Sequence, residues 1–335
     1  MSDMVKKELV VDMTVNPIRQ IGIVVKDVVD TAKQYAEYFG IGPWYFFDNI
    51  FEDTRLHEQP VKDGKGCIRV GITNFGDMEI KLLQPVYGPS MHMEFLQTHG
   101  QGIHHLSFGE INNQQAFVSR LEKNGCPAEM SGTAIGKSPF CYMATQKALG
   151  AIYEAHPPIS EAAKSRIKPW GMYTPPEGQG IINLDGKKIA QVGIIVEDVE
   201  NVAQNYQDIF GIGPWTLLDF KPPLATCDHF VGTPVLEGLD FCVRAAIANH
   251  GDLEIELLQP VYGPSTHMDF LKVHGQGIHH MSLHLVDDHD EIVSAITNRG
   301  GRIEMSGTIN KEMRYTYMDT RADLCTIWEC AKIGE

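Results

Sequence analysis

Hydrophobic and polar positions change period repeatedly along this chain. Arg19–Val25 alternates and is rich in β-branched residues, which predicts a strand. From Asp27 the spacing lengthens. Val28, Ala32, Tyr35, Ala36 and Phe39 recur at helical intervals, with Asp27 placed to cap the helix and Gly40 to end it. Alternating runs near Trp44–Asp48, Cys67–Thr73 and Met78–Gln84 predict three strands. Ser90 then caps a short helix and the order restarts. Ile103–Gly109 reads as a strand, and Asn112–Asn124 as a helix that turns Phe117, Val118 and Leu121 inward and ends at Gly125. Strands near Cys126–Met130, Phe140–Ala144 and Ala151–Ala155 follow. The first half is therefore βαβββ, twice.

The second half repeats the first. Ile21–Trp44 aligns with Val192–Trp215 at an offset of 171, and Asn74–His105 with Asn249–His280 at an offset of 175. The heptapeptide HGQGIHH stands at His99–His105 and again at His274–His280. EMSGT recurs at Glu129–Thr133 and Glu304–Thr308. The change of offset places a four-residue insertion in the second copy, between Trp215 and Asn249. Copies of this length are duplicated domains, far longer than solenoid repeats. The expected organisation is α+β, with four βαβββ modules in two domains at 16–157 and 187–332. The Pro- and Gly-rich 158–186 between them reads as a linker with one helical turn at Ser160–Ile167.

Composition narrows the function. A net charge of −15 and a pI near 5.3 speak against nucleic acid and anionic membrane as partners. Seven scattered cysteines with no CxxC pair read as reduced thiols. No signal-like or membrane-length apolar run is present, so a cytoplasmic location is expected.

Certain polar side chains recur at matched strand positions. Gln20 and Gln191 stand among apolar neighbours on the first strand of each copy. Gln84 and Gln259 end the fourth strand, on the face of Ile80 and Leu82 in the first copy. On the strand that follows, alternation sends His104 and His105, and likewise His279 and His280, to opposite faces, so at most one of each pair faces any given site. Glu154 and Glu329 lie within AIYEA and TIWEC, where a buried carboxylate needs a partner. One imidazole, one carboxylate and two amide oxygens suit a divalent ion with positions left open for water or substrate.

With these residues the chain resembles the vicinal oxygen chelate superfamily, the glyoxalase-like βαβββ metalloenzymes, and within it the methylmalonyl-CoA epimerases. The resemblance rests on IGIVVKDV, on KLLQP or ELLQP followed by GIHH, and on GAIYE, and spans all but the N-terminal tail and the linker. It implies two domains with cupped mixed sheets. It also implies a divalent metal (Co, Mn, Zn, Ni or Fe) held by Gln20, Gln84, His105 and Glu154 and again by Gln191, Gln259, His280 and Glu329, which leaves His104 and His279 facing away. Both copies carry Gln where the epimerases carry a first-strand His, which weakens the expected metal affinity. The epimerases' second catalytic Glu has no match. Glu58 and Glu237 are its neighbours in sequence.

The function expected from this set is isomerisation or epimerisation by removal of an α-proton next to a carbonyl, through a metal-stabilised enolate, with Glu154 or Glu329 as base. The partner is a small carbonyl or acyl compound, with homodimer formation left open. Arg69 and Arg244 are candidates to clamp a substrate oxygen. Trp44, Trp215, Tyr142 and Tyr317 are candidate pocket walls. Another reaction of the superfamily (a glyoxalase-type lyase or a ring-cleaving dioxygenase) and a non-catalytic binding protein are the competing readings.

Overall fold

The computed structural model describes residues 17–135, 137–184, 186–235 and 238–334. In the first half the principal elements are β1 (Gln20–Val24), α1 (Val28–Phe39), β2 (Trp44–Leu56), β3 (Gly66–Phe75), β4 (Met78–Tyr87), α2 (Met91–Thr98), β5 (Gly102–Glu110), α3 (Gln114–Lys123), β6 (Ala128–Ala134), β7 (Ser138–Met143) and β8 (Ile152–His156). In the second half they are β9 (Gln191–Ile195), α4 (Val199–Phe210), β10 (Thr216–Phe220), β11 (Cys242–His250), β12 (Leu253–Tyr262), α5 (Thr266–His274), β13 (Gly277–Leu285), α6 (His289–Asn298), β14 (Arg302–Ile309), β15 (Met313–Asp319) and β16 (Ile327–Ile333). The α+β arrangement of four βαβββ modules expected from the pattern is present. Local chemistry explains the element ends. Asp27 accepts hydrogen bonds from the Val29 and Asp30 amides at the start of α1, and Gly40 ends the helix at φ 66°.

Each half is one curled mixed sheet. Within a module the first and last strands pair in parallel, β1 with β4 and β5 with β8. The two modules join through antiparallel β1–β5 pairing. In the first half β2 pairs both β3 and β6, which closes the ring β2–β3–β4–β1–β5–β8–β7–β6 into a barrel. The second half does not close in this way. At the positions of Phe51 and Glu52 it carries Pro222 and Pro223, which cannot donate to a ladder and stop β10 at Phe220. After the inserted residues the chain returns to β14 only through a bridge at Ala225 and a short strand at His229–Phe230. The Pro222–Pro223 pair and the insertion that follows it thus turn a barrel into a half-barrel.

The halves share one apolar core. Phe39 packs on Trp328 with ring centroids 4.6 Å apart, and Phe108 on Phe210 at 5.0 Å. Buried hydroxyls cross the same boundary: Tyr153 bonds Tyr206 at 2.9 Å, and Tyr35 donates to the Leu324 carbonyl at 3.0 Å. The segment between the halves is anchored at several of its described residues, with Ala163 and Ile182 buried. Ser160 caps a turn of helix at Glu161–Lys164, and Gly171–Tyr173 adds a strand to the edge of β2. Among the described residues no helix is long and apolar enough to cross a membrane.

Candidate functional site

The four central strands of each half set which side chains meet. Register places Gln20 beside Glu79 and Ser107, Gly22 beside Lys81 and His105, and Glu154 beside Ser107 and Tyr142. Residues two apart share a face, so Gln20, Lys81, His105 and Glu154 converge on the concave side of the first sheet. The Lys81 ammonium donates to Gln20 Oε1 at 3.3 Å and to both Glu154 oxygens at 3.3 and 3.4 Å. His105 Nε2 lies 3.4 Å from Glu154 Oε2. Gly22 makes this possible. A Cβ at that position would overlap the His105 ring, which lies flat across the strand.

The second half repeats the frame with one exchange. Gly193 stands beside His280 and Glu256, and Glu329 beside Ser282 and Tyr317. Glu256 therefore occupies the place of Lys81. His280 Nε2 lies 3.5 Å from Glu329 Oε2 and 3.8 Å from Glu256 Oε2. Gln191 Oε1, Glu256 Oε2 and His280 Nε2 are buried without hydrogen-bond partners. Unpaired buried acceptors of this kind are costly unless something else satisfies them. One imidazole nitrogen, two carboxylates and an amide oxygen form an N/O set that fits a divalent transition ion.

Electrostatics separates the halves further. Burial pushes the Glu154 carboxyl up, but Lys81 and His105 outweigh it and hold the group well below its ordinary range. Burial raises Glu329 to about 7. It raises Glu256 well above its usual value, with the charges of Glu329 and Glu254 adding to the effect. Burial also lowers His105 and His280, which keeps both imidazoles neutral, the form that ligates. A cavity of about 150 Å³ opens over the second set, walled by Phe241, Val243, Met305 and Tyr317. The cavity over the first set is about 70 Å³, walled by Phe51, Met130, Phe140 and Tyr142.

Several sequence expectations are corrected. Gln84 and Gln259 lie on the helix-packed face, where each accepts the first amide of the helix that opens its half, Val28 N of α1 at 3.3 Å and Val199 N of α4 at 3.2 Å. They do not reach the converging groups. The fourth-strand position that does is Lys81 or Glu256. His104 and His279 do not face away. A bulge pairs Gly22 with His105 and Ile23 with Ile103, leaving His104 as the extra residue. His104 Nδ1 comes within 3.0 Å of His105 Nδ1, and His279 Nδ1 repeats this with His280 Nδ1. His92, His104 and His105 form a buried imidazole cluster.

The arginines are also elsewhere. Arg69 Nε donates to Asp48 at 3.0 Å and lies over Trp170, and Arg244 Nε donates to Asp219 at 2.8 Å. Trp44 is buried in the core and Trp215 packs partly buried against it, and their indole N–H groups bond the Ile41 and Ile212 carbonyls. Tyr142 and Tyr317 do line the cavities, with ring centroids 5.0 and 4.9 Å from His105 and His280. Glu58 is exposed on a turn, and Glu237 lies outside the described residues. Lys81 and Glu256 were missed by sequence reasoning. The available signal was the single exchange in EIKLLQPVYGPS and EIELLQPVYGPS.

Comparison with known proteins agrees with this architecture. The family model described as the glyoxalase/bleomycin resistance protein/dioxygenase superfamily matches twice, over residues 19–142 and 190–317. The chain belongs to this superfamily. Its members include epimerases, glyoxalases and dioxygenases and typically use divalent metals such as manganese. A triple mutant of 4-hydroxymandelate synthase from Streptomyces coelicolor is similar in fold, with 13% identity, a TM-score of 0.60, and 95% of this chain and 92% of that one covered. A Mn(II)-bound glyoxalase from Novosphingobium aromaticivorans gives 14% identity and a TM-score of 0.47 over 96% of this chain and 83% of that one. Methylmalonyl-CoA epimerase from Mycobacterium tuberculosis gives 21% and 0.33 over 44% of this chain and 91% of that one. No curated protein gives a significant match.

Proposed function

We propose that the protein is a metal-dependent isomerase or epimerase that removes a proton from the carbon next to a carbonyl, and that its second half does the chemistry. The observation that carries this reading is the set of buried, unpartnered Gln191, Glu256 and His280 atoms beside Glu329, under an apolar cavity. Gln191, Glu256, His280 and Glu329 would hold a divalent ion, which when bound supplies positive charge for a substrate carbonyl or acyl oxygen.

The remaining work falls to the chain. Glu329 is the proton acceptor. Its carboxylate lines the cavity and lies 3.5 Å from His280 Nε2, placed to take a proton from a bound substrate and return it. Glu256, beside the same imidazole, is the second carboxyl at the site. His280 is held flat over Gly193 by the bulge and by its contact with His279. Tyr317 and the apolar wall exclude water and orient a small substrate against the acids.

The test is solvent deuterium exchange into small 2-substituted acyl and carbonyl compounds, followed by mass spectrometry. Exchange is expected with metal-loaded protein, with loss after chelation and in Glu329→Gln. Loaded protein that exchanges nothing, or a Glu329→Gln variant that exchanges normally, overturns the reading. Oxygen uptake with a catechol would instead indicate the dioxygenase chemistry of the superfamily.

A further inference from the structure

We propose that each chain holds one divalent ion, in the second half, and that Lys81 is a tethered cation that makes the first-half site metal-free. This rests on the metal reading of the second half. At the converging positions the halves match residue for residue: Gln20 with Gln191, His105 with His280, Glu154 with Glu329, Tyr142 with Tyr317. The exchange is Lys81 for Glu256, each beside the glycine that carries the histidine ring.

That exchange reverses the electrostatics. When its acids ionise to ligate an ion, the second set carries two negative charges, whereas Lys81 beside Glu154 leaves the first set with none. The Lys81 ammonium already donates to Gln20 Oε1 at 3.3 Å and to Glu154 at 3.3 and 3.4 Å. These are the counterparts of donors an ion would use in the second half. A dication there would meet a fixed positive charge at contact range and would have to strip Lys81 from its buried carboxylate. Among the described residues of the second half no ammonium stands there; the matching amide oxygen of Gln191 and the Oε2 of Glu256, which takes the place of Lys81, are left without partners. The first half accordingly does not fit the metal that the superfamily implies.

The test is metal stoichiometry. Chelated protein is reloaded with Mn(II) or Co(II), dialysed, and assayed for metal per chain by mass spectrometry, with Co(II) absorption as a second readout. Wild type is expected to hold one ion, Lys81→Glu two, and Glu256→Lys none. His280→Gln should lose the ion and His105→Gln should keep it. Two ions in wild type overturn this inference and leave the proposed function standing. No ion in wild type overturns both. A folded Lys81→Glu that holds one ion, or an ion lost in His105→Gln but kept in His280→Gln, also counts against it. If Lys81→Glu does not fold, wild type and the two histidine variants decide.

Discussion

Replacing Glu329 with glutamine should stabilise the metal-free protein at neutral pH while abolishing its metal binding. Glu329 is 7% exposed, and burial raises its carboxyl from 4.5 to about 7. In the unfolded chain the group ionises near its ordinary value, whereas in the folded chain it stays protonated to about 7. Between those two pH values the unfolded state binds fewer protons, so stability falls as pH rises. At 1.36 kcal/mol per pH unit the loss is about 3 kcal/mol, complete above about pH 7 and absent below about pH 4.5. Glutamine carries no such proton and escapes the slope. Melting entropy near 2.1 cal/mol/K per residue converts this to about 4 °C for a chain of 335 residues.

The assay is calorimetry of wild type and Glu329→Gln in chelator at pH 5 and pH 8. The variant should gain about 4 °C on wild type between the two. In saturating Mn(II) at pH 8 the order should shift toward wild type, because only the native carboxylate set gains binding energy. Parallel melting curves in chelator, or a wild type that gains on the variant as pH rises, would refute the argument.

Other outcomes follow from particular contacts. Gly193→Ala should displace the His280 ring and lose the ion, read by metal content, at a stability cost of about 1–3 kcal/mol from overpacking. Gln259→Ala should keep the ion, because its amide serves the α4 amide of Val199. It should cost about 1 kcal/mol in denaturant unfolding. Tyr153→Phe should cost about 1 kcal/mol by removing the buried bond to Tyr206 across the halves, with metal content unchanged.

Much of the fold is legible in the sequence because periodicity and duplication are strong signals. The helix from Val28, the caps at Asp27 and Ser90, and the two βαβββ orders per half all follow from spacing. The half-barrel was present only as an insertion, since its cause is a Pro222–Pro223 pair acting on a ladder partner far away in sequence. The site was legible in part. Gln20, His105 and Glu154 and their counterparts do meet on the concave face, because period-two alternation fixes which face a strand residue takes. It failed at His104, where a bulge adds a residue and breaks the alternation. It failed at Gln84 for a different reason. Sequence gave the correct set of neighbours, Ile80 and Leu82, but not that this set faces the helix rather than the cavity. Lys81 was passed over because a lysine among apolar strand residues reads as an exposed residue, whereas here its ammonium is held by Gln20 and Glu154.

The most direct test of the metal reading is anomalous diffraction from crystals loaded with Mn(II), collected on either side of the metal edge. One peak per chain is expected, bounded by Gln191, Glu256, His280 and Glu329. A peak beside Lys81, a peak within the His92, His104 and His105 cluster, or no peak in the second half would contradict it.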